Sequence, residues 1–443
     1  MLPEKGKCIM LIRFLVENYR SIREAVELQM TAVNYYKEAA GQLLDVNLPG
    51  LSKTKYLRAA AIYGPNASGK TAIWRGFDLM RDMVLGSTSY AANLGLPYLP
   101  FKLDVGSREK PTRFLATFTG RNGVRYEYTF AYNDRAFVDE KLLAYPKGFR
   151  QVWFTRAVEN GKASVKGSSY LKVPAAVKEL LNDNVLLLSL LANLPKVEAH
   201  DAVMPVYDWF LDGVDLYSRA PESVNDFPYS GDIINGEIGT DYQRRFIQEM
   251  MRRADIGITS TRVEKRPVPE ELRRLAESLP DLAPNFDGGV KSVVFQHANG
   301  GNTMNLDFGE ESDGTKQLFG MSGHVAEALE KGSVLFMDEV DASLHPVLVI
   351  EVIRTFLNPE SNPNNAQLVF TAHNPCLLEG NLLRRDQIWF TEKNSAGATE
   401  LYPLSDYSPR KDESVANGYL AGRFSAIPVV PECFGCTAAC TEA

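Results

Sequence analysis

The sequence predicts an α/β protein in which a parallel sheet is joined to an antiparallel β subdomain and interrupted by a helical insertion. The first observation is the apolar run 59–63, which leads through a glycine-rich turn into a segment with helical spacing. The second is that short apolar strands and helices alternate again from Val290 onwards, after a stretch of mainly helical spacing. Strands on both sides of that stretch indicate one sheet whose parts are separated in the chain.

Composition narrows the class of protein. The 443 residues carry a net charge of −7 and are 45% hydrophobic, which is typical of globular proteins. The apolar segment 8–16 is interrupted by Arg13 and is followed by no signal-peptide cleavage site, and no run reaches the ~18 apolar residues of a membrane span. Five cysteines in a chain of this length are typical of a reducing compartment, so we expect a cytoplasmic protein without membrane association.

The N-terminal part is predicted to be mainly strand. Apolar and polar residues alternate over 12–18 and again over 24–31, which predicts a hairpin ahead of strand 59–63. The helix after the glycine-rich turn is predicted to end near Leu85. From 97 to about 156, alternation around the turn 120–123 predicts antiparallel β structure.

The rest of the chain is predicted to contain the insertion and the second part of the sheet. Residues 157–288 form a mostly helical block, with helical spacing over 173–194 and 202–211. Strands 334–337 and 367–370 then flank a helix over 346–357. We therefore divide the chain into residues 1–156, 157–288 and 289–443, with the first and third parts forming one unit.

The glycine-rich turn has the composition of a phosphate-binding P-loop. Backbone N–H groups must converge on phosphate oxygens, which requires glycine where a Cβ would collide, and the following helix adds the positive end of its dipole. In such a loop the lysine reaches the β- and γ-phosphates and the next hydroxyl binds Mg²⁺. The predicted nucleotide-binding residues are Gly64, Pro65, Asn66, Ala67, Ser68, Gly69, Lys70 and Thr71, with Thr71 also a metal ligand.

Two carboxylates end the apolar strand 334–337, about 270 residues after the P-loop. There Asp338 would hold Mg²⁺ through water, and Glu339 would polarise the water that attacks the γ-phosphate. Two acidic residues at a strand end are, by themselves, weak evidence for a catalytic Mg²⁺ site. When they follow a P-loop in the chain, they are the carboxylates expected to complete the nucleotide site.

His373 follows the next strand and is therefore predicted to lie at the C-terminal edge of the sheet, where α/β folds place ligands. A neutral imidazole there can hydrogen-bond the γ-phosphate or the attacking water. We assign His373, together with Glu339 and Lys70, to catalysis. For His297 and His345 we expect structural roles.

A further candidate anion site lies upstream of the acidic strand, where Ser312 and Gly314 open a predicted helix. From the residues alone, an ordinary helix N-cap is the alternative. The complete set of motifs resembles the ATP-binding-cassette (ABC) ATPases of the RecF/SMC/OLD class, in which a P-loop, a signature helix, an Asp-Glu strand and a His switch form the site. Segment 311–315 takes the place of the Leu-Ser-Gly-Gly-Gln signature, so the resemblance implies an ABC-type ATPase head in which Ser312 and Gly314 bind nucleotide.

The resemblance also implies partners. ATP and Mg²⁺ would lie between the P-loop of one subunit and Ser312 of another, so the active unit would be at least a homodimer. Segments 16–22 and 418–424 further resemble ATPases of bacterial abortive-infection and anti-phage systems, such as the partner of RloB-type proteins or the ATPase subunit of PARIS. OLD proteins carry a fused nuclease, for which the 70 residues after His373 leave no room. We therefore expect a separate effector, nuclease-like (TOPRIM) or RloB-like.

Two departures from the family pattern bear on the rate of hydrolysis more than on nucleotide binding. The family carries a glutamine after the early β segment that touches Mg²⁺ and the attacking water, yet no glutamine occurs between Gln42 and Gln151. Asp313 also replaces a signature glycine. ATP held mainly as an assembly cofactor is therefore an alternative to ATP as a substrate.

A second alternative is a RecF/SMC-like DNA-repair or chromosome-associated ATPase that binds DNA directly. A basic stripe on a predicted helix from 241 to about 254 would supply the binding face, although such stripes are more often solvated surfaces. The insertion also lacks the long heptad arms of SMC proteins. The basic residues are Arg244, Arg245, Arg252, Arg253, Arg262, Lys265, Arg266, Arg273 and Arg274.

Three cysteines near the C-terminus, Cys433, Cys436 and Cys440, have metal-like spacing. A structural zinc site requires four ligands, and neither a histidine nor a fourth cysteine lies nearby in the sequence. We interpret the three residues as part of an unpaired tail.

Overall fold

The computed structural model describes residues 8–36, 40–44, 46–91, 94–159, 162–218, 229–254, 257–268, 270, 290–299, 301–380, 382–407 and 413–427. They form a six-stranded sheet, a seven-stranded antiparallel sheet, a three-stranded sheet and one two-stranded ladder. Within these ranges no helix is both long enough and apolar enough to cross a membrane.

Strands and helices are interspersed along the described parts of the chain. The strands are β1 (Met10–Glu17), β2 (Val26–Gln29), β3 (Leu43–Leu44), β4 (Tyr56–Leu57), β5 (Ala59–Tyr63), β6 (Thr112–Thr119), β7 (Arg125–Tyr132), β8 (Phe137–Tyr145), β9 (Gln151–Glu159), β10 (Lys162–Gly167), β11 (Val214–Ser218), β12 (Ile258–Arg266), β13 (Val290–Asn299), β14 (Asn302–Asp307), β15 (Val334–Asp338), β16 (Gln367–Ala372), β17 (Ile388–Lys393) and β18 (Thr399–Pro403). The α-helices are α1 (Lys70–Gly86), α2 (Ala175–Leu180), α3 (Leu187–Ala192), α4 (Ala199–Asp212), α5 (Tyr229–Asn235), α6 (Asp241–Ala254), α7 (Asp313–Lys331), α8 (Pro346–Leu357) and α9 (Val415–Leu420).

The six-stranded sheet has the order β11–β15–β16–β5–β17–β18, and every pair except β17–β18 is parallel. Its central strand β5 is short, apolar and fully buried, as expected for a parallel strand covered on both faces. Alternate residues of β5 enter two different cores: Ala60 and Ile62 face α1 and the antiparallel sheet, while Ala59, Ala61 and Tyr63 face α7 and α8. The sheet is therefore the middle layer of the molecule.

The seven-stranded sheet has the order β10–β9–β8–β7–β6–β1–β2 and is antiparallel throughout. It contains both the predicted N-terminal hairpin and the predicted β region from 97 to 156. Trp209 of α4 stacks on Phe118 of β6 with ring centroids 3.9 Å apart, and Phe77 of α1 packs between Trp209 and Phe336 of β15. One aromatic core thus joins the two large sheets, and the predicted α/β class with an antiparallel β subdomain is confirmed.

The segment 157–288 is less helical than predicted. It contains α2 to α6, but also three strands: β10 extends the antiparallel sheet, β11 pairs in parallel with β15, and β12 pairs with β13 in the three-stranded sheet. The sequence pattern does not predict strand β11, because β11 is an edge strand in which only Val214 is buried, so its apolar pattern is weak. The described part of the segment therefore contributes to both large sheets. The boundaries at 156/157 and 288/289 stay predictions.

The helix predicted over 173–194 is interrupted. Helices α2 and α3 are separated by a turn around Asn182, because the guanidinium of Arg156 binds the carbonyl groups of that turn and holds them away from helical pairing. Arg156 is fully buried on β9. It donates to the carbonyl oxygens of Asn182, Asp183 and Val185 at 3.3, 3.1 and 2.6 Å.

Glu140 of β8 lies opposite Arg156 in the β8–β9 register and is also fully buried. Its carboxylate accepts the N–H groups of Leu187 and Leu188 at 2.8 and 2.9 Å and the hydroxyl of Tyr128 at 2.9 Å. Burial raises the pKa of Glu140, and Arg156 opposes that rise. The pair anchors the chain around α3 to the antiparallel sheet.

Replacing Glu140 by alanine should destabilise the fold strongly. The variant removes the acceptor of two buried N–H groups and of the Tyr128 hydroxyl, together with a buried negative charge that interacts with Arg156, so we expect a loss of about 3–5 kcal/mol in the free energy of unfolding, measured by urea denaturation. Glu127→Ala, which breaks a partly exposed ion pair with Arg13 in the same sheet, is the control and should cost less than about 1 kcal/mol. Equal losses in the two variants would contradict this role of Glu140.

Candidate functional site

The predicted P-loop connects β5 to α1. Helix α1 begins at Lys70, and Gly69 before it has a φ of 114°, a left-handed conformation that glycine adopts without strain. A Cβ on Gly64 would collide with Thr391, and a Cβ on Gly69 would collide with Thr399. Both glycines are therefore required by packing against strands β17 and β18, in addition to any approach of phosphate.

The Lys70 side chain lies inside the loop. Its Nζ donates to the carbonyl oxygens of Gly64 at 2.7 Å and Pro65 at 3.1 Å, and lies 3.4 Å from Nδ1 of His373. Only 5% of the residue is exposed. This desolvation lowers the pKa of Lys70 to about 8, against the opposing effect of three nearby carboxylates. A phosphate group in the loop would favour the charged form.

The two predicted carboxylates leave β15 in different directions. Asp338 is buried, and its Oδ1 accepts the hydroxyl of Thr371 at 2.6 Å. The same hydroxyl oxygen accepts the N–H of Glu339 at 2.7 Å. Glu339 has a φ of 51° and a half-exposed side chain that lines the cavity described below. A left-handed non-glycine residue is strained, and such strain is concentrated at functional sites.

His373 follows β16 and lies beside both Lys70 and Glu339. Its Nε2 is 3.9 Å from Oε1 of Glu339. Its backbone N–H, and that of Asn374, donate to Oδ2 of Asp341 at 2.8 and 2.6 Å, which holds the turn after the strand. Partial burial, followed by the neighbouring Lys70 ammonium, lowers the pKa of His373, so the imidazole is neutral at pH 7.

A cavity of about 600 Å³ brings the predicted catalytic side chains and most of the P-loop together. The predicted residues Gly64, Pro65 and Asp338 do not line it; the carbonyl groups of Gly64 and Pro65 accept from Lys70, and Asp338 accepts the hydroxyl of Thr371. The roles of these residues remain predictions, but their proximity is a property of the fold. The lining residues are Arg20, Ser21, Asn66, Ala67, Ser68, Gly69, Lys70, Thr71, Ala72, Arg75, Glu339 and His373.

Four lining residues lie outside the predicted set: Arg20, Ser21, Ala72 and Arg75. Arg75 stands four residues after Thr71 on α1, so helical periodicity places it on the same face, and this signal was present in the sequence. Arg20 and Ser21 belong to a turn with left-handed backbone at Arg20, whose N–H donates to the Leu99 carbonyl at 2.7 Å. Their approach to the cavity depends on the pairing of distant strands.

The predicted signature residues lie apart from this cavity. Ser312 is exposed and caps α7, where its Oγ accepts the N–H of Thr315 at 3.1 Å. A Cβ on Gly314 would come within 2.9 Å of the Ser343 carbonyl oxygen, so the helix start packs against the turn that follows β15. Within one chain, Ser312 and Gly314 therefore do not complete the P-loop site.

The donors around the P-loop fit Mg²⁺ with a nucleotide. Thr71 offers a hydroxyl and Asp338 a carboxylate, which are the hard oxygen ligands that Mg²⁺ prefers. The described residues contain no group of three or more histidine, cysteine, aspartate or glutamate side chains placed to hold a metal. Mg²⁺ in nucleotide sites uses one or two protein oxygens and completes its shell with phosphate and water, so a larger cluster is not needed.

No residue of segment 97–111 lines the cavity, where the family places its glutamine. At the expected position Phe101 is buried, and its N–H donates to Oδ1 of Asn18 at 3.1 Å. The side chain that would touch the attacking water is thus absent from this part of the described site.

The basic stripe on α6 is largely paired with acidic residues. Arg244 forms an ion pair with Asp241, and both Arg252 and Arg253 pair with Glu249 at 3.3 and 2.6 Å. On β12, Arg262 pairs with Glu264, while Arg266 pairs with Glu264 and Asp307. Arg273, Arg274 and the three C-terminal cysteines Cys433, Cys436 and Cys440 lie outside the described residues.

The two remaining histidines of the sequence prediction occupy structural positions. His297 of β13 contacts the buried carboxylate of Glu311, with Nε2 and Oε1 2.7 Å apart. His345 caps α8, where Nδ1 accepts the N–H of Val347 at 3.3 Å. Neither lines the cavity.

Comparison with solved structures finds similarity to SMC head domains and to RecF. One is the SMC head domain from Thermotoga maritima, with 13% identity and a TM-score of 0.35 over 89% of this chain and 98% of that chain. Another is the Smc head domain from Pyrococcus furiosus bound to ScpA, with 12% identity and a TM-score of 0.41 over 90% and 98%. The recombination mediator RecF has 13% identity and a TM-score of 0.36 over 89% and 99%. Comparison with curated proteins finds no match.

Residues 59–162 and 181–379 match the family described as "AAA domain, putative AbiEii toxin, Type IV TA system". The matched segments make up more than half of the 443 residues and contain β5, the P-loop, β15 and His373. The chain therefore belongs to this family of ATPase domains. The predicted resemblance to ABC-type ATPases of abortive-infection systems is confirmed.

Raising the pH should weaken nucleotide binding through Lys70. The ammonium form, which attracts phosphate, dominates below a pH of about 8 and is lost above it. We expect the affinity for Mg-ADP, measured by isothermal titration calorimetry, to fall by up to about tenfold per pH unit above that value. Lys70→Met should bind weakly at every pH. A slope of the same size in Lys70→Met would show that another group is responsible.

Proposed function

We propose that this protein is a Mg²⁺-dependent ATPase that works as an ATP-operated switch and controls a separate effector in a bacterial anti-phage system. The observation that carries the proposal is the convergence of the P-loop, Lys70, Glu339 and His373 on one cavity, with the last two side chains 3.9 Å apart. Family membership supports the ATPase activity. The match to a family described as a putative AbiEii toxin of a type IV toxin–antitoxin system supports the defence role.

The residues of the cavity have separate roles in this proposal. The P-loop N–H groups, the α1 N-terminus and Lys70 bind the phosphates. Thr71 and Asp338 would hold Mg²⁺, which neutralises charge on the transferred phosphoryl group. Thr371 fixes the Asp338 carboxylate so that it does not swing away from the site.

Glu339 is the proposed general base. Its side chain lines the cavity, and it accepts a proton from the water that attacks the γ-phosphate. The neutral imidazole of His373 donates a hydrogen bond to the γ-phosphate or accepts one from that water, while Asp341 holds its backbone in place. Since no glutamine side chain comes from segment 97–111, we expect slow turnover.

The complete site requires two copies of the chain. Ser312 and Gly314 lie at the start of α7, and neither lines the P-loop cavity of its own chain. The N-terminus of a 19-residue helix is well suited to a γ-phosphate, because the first N–H groups of a helix have no intrahelical partner and the dipole is positive at that end. In the proposed homodimer each α7 covers the nucleotide of its partner. ATP then joins the subunits, and its hydrolysis releases them.

The output of the switch is assigned to a second protein, nuclease-like (TOPRIM) or RloB-like. Direct DNA binding by this chain is less well supported, because arginines of the α6 stripe already have carboxylate partners within one helical turn. A solvated helix with internal ion pairs is the simpler explanation of the stripe.

Glu339→Gln should abolish most ATP turnover while leaving ATP bound. Removing a general base lowers the rate by about 10²–10⁴-fold, and the isosteric amide preserves the shape of the site. Phosphate release and nucleotide affinity are the two measurements. Glu351→Gln, which changes an exposed carboxylate on α8, serves as the control and should retain full activity. Unchanged turnover in Glu339→Gln would refute the proposed base.

Ser312→Ala should weaken ATP-dependent dimerisation. The experiment is best done in the Glu339→Gln background, where ATP persists, with the dimer fraction measured by analytical ultracentrifugation. Loss of a helix cap costs about 1 kcal/mol of stability by itself. Ser414→Ala is the matched control, because Ser414 caps α9 in the same way, through the N–H of Asn417 at 3.2 Å. Equal dimer fractions in both variants would contradict the two-chain site.

A further inference from the structure

We propose that Thr391 and Thr399, on the hairpin formed by β17 and β18, are positioning residues that hold the P-loop in its phosphate-binding shape. The inference rests on the proposed nucleotide binding and adds residues that no P-loop motif contains. Both threonines are buried, at 0% and 3% exposure, and neither lines the cavity. They therefore act on the nucleotide through the loop and not by direct contact.

Thr399 joins three parts of the chain with one hydroxyl group. Its Oγ1 donates to the carbonyl oxygen of Ser68 at 2.8 Å. A hydroxyl has one proton, so the two other contacts must donate to it: Nζ of Lys393 at 2.9 Å and Oγ of Ser21 at 2.9 Å. The Thr399 N–H also donates to the Ser21 carbonyl at 2.8 Å. The P-loop, the hairpin and the turn that carries Arg20 thus meet at this oxygen.

Thr391 holds the other side of the same serine. Its Oγ1 donates to the Tyr63 carbonyl at 3.2 Å, which leaves its lone pair to accept the hydroxyl of Ser68 at 2.7 Å. Ser68 is buried, so both its carbonyl and its hydroxyl depend on these two threonines for partners. If the loop moved away from the hairpin, these two groups of Ser68 would lose their hydrogen-bond partners and would need others.

The positions of the two glycines strengthen the argument. Because a Cβ at Gly64 or Gly69 would collide with the Thr391 or Thr399 hydroxyl, the loop lies directly on the hairpin at both ends. The conformation of a P-loop must direct several N–H groups at one anion, and a loop that is already in this conformation loses less entropy on binding. The hairpin therefore pre-organises the loop for phosphate.

The test compares valine and serine at each position. Thr399→Val keeps the shape and removes the hydroxyl, so we expect the dissociation constant of Mg-ADP to rise about tenfold, as for one lost hydrogen bond to a buried group. Thr399→Ser restores the hydroxyl and should bind within about twofold of the wild type. In ATP hydrolysis the valine variant should show a raised KM with little change in kcat. Thr391→Val and Thr391→Ser are expected to behave in the same way.

The control separates positioning from general loss of stability. Thr129 is a buried threonine of β7 whose hydroxyl donates to the Phe114 carbonyl at 2.8 Å, far from the site in the chain. Thr129→Val should lower the melting temperature without changing Mg-ADP affinity. An affinity in Thr399→Val equal to that of the wild type, or a serine variant that fails to restore binding, would overturn the inference.

Two further results keep the inference distinct from the proposed function. Failure of the wild-type protein to bind Mg-ADP would refute the proposed function, whereas wild-type binding with unchanged affinity in Thr399→Val refutes only the role of the hairpin. If Thr399→Val does not fold, Lys393→Met removes one donor to the same hydroxyl from an exposed side chain. Its Mg-ADP affinity should fall severalfold, and an unchanged value would overturn the inference.

Discussion

The site depends above all on the parallel register of three strands. Tyr63, the last residue of β5, lies opposite Ala372 of β16, and Met337 of β15 lies opposite Phe370. The chain therefore leaves all three strands at the same edge of the sheet, and the P-loop, the two carboxylates and His373 must emerge side by side. A shift of one residue in either pair would turn alternate side chains to the other face and separate these groups.

The two cores on either side of the sheet make this register rigid. Residues of β5, β15 and β16 alternate between a core shared with the antiparallel sheet and a core shared with α7 and α8. Against this well-packed background, the edge itself carries unfavourable features. Lys70 is a buried amine with a lowered pKa, and Glu339 has a left-handed backbone. Burial of charge and local strain are costs that a phosphate group and its metal ion would offset.

The arrangement also bears on the proposed two-chain switch. One chain supplies the phosphate loop and the carboxylates, but Ser312 at the start of α7 is exposed and does not line the cavity. The γ-phosphate is then the group that both chains would contact, and its loss removes the contact. Hydrogen bonds of Thr399 also connect the P-loop to the β17–β18 hairpin and to the turn at Arg20. A change in the conformation of the loop would therefore affect both of these segments.

Short contiguous motifs predict which strand ends and which helix start surround the cavity, while the chemical roles of their residues stay predictions. Gly64 to Thr71, the carboxylates after β15 and His373 after β16 were recognisable because each depends on neighbours within a few residues, where strand ends and helix starts have fixed geometry. Arg156, which divides the helix expected over 173–194, was invisible because its partners lie 26 to 29 positions away. Strand β11 pairs with β15, which is distant in the chain. Its residues are mostly half-buried, so their pattern does not predict a strand. The hydroxyl pair of Ser68 and Thr391 spans 323 positions, and such a contact exists only after the sheet has formed, since no local propensity encodes it.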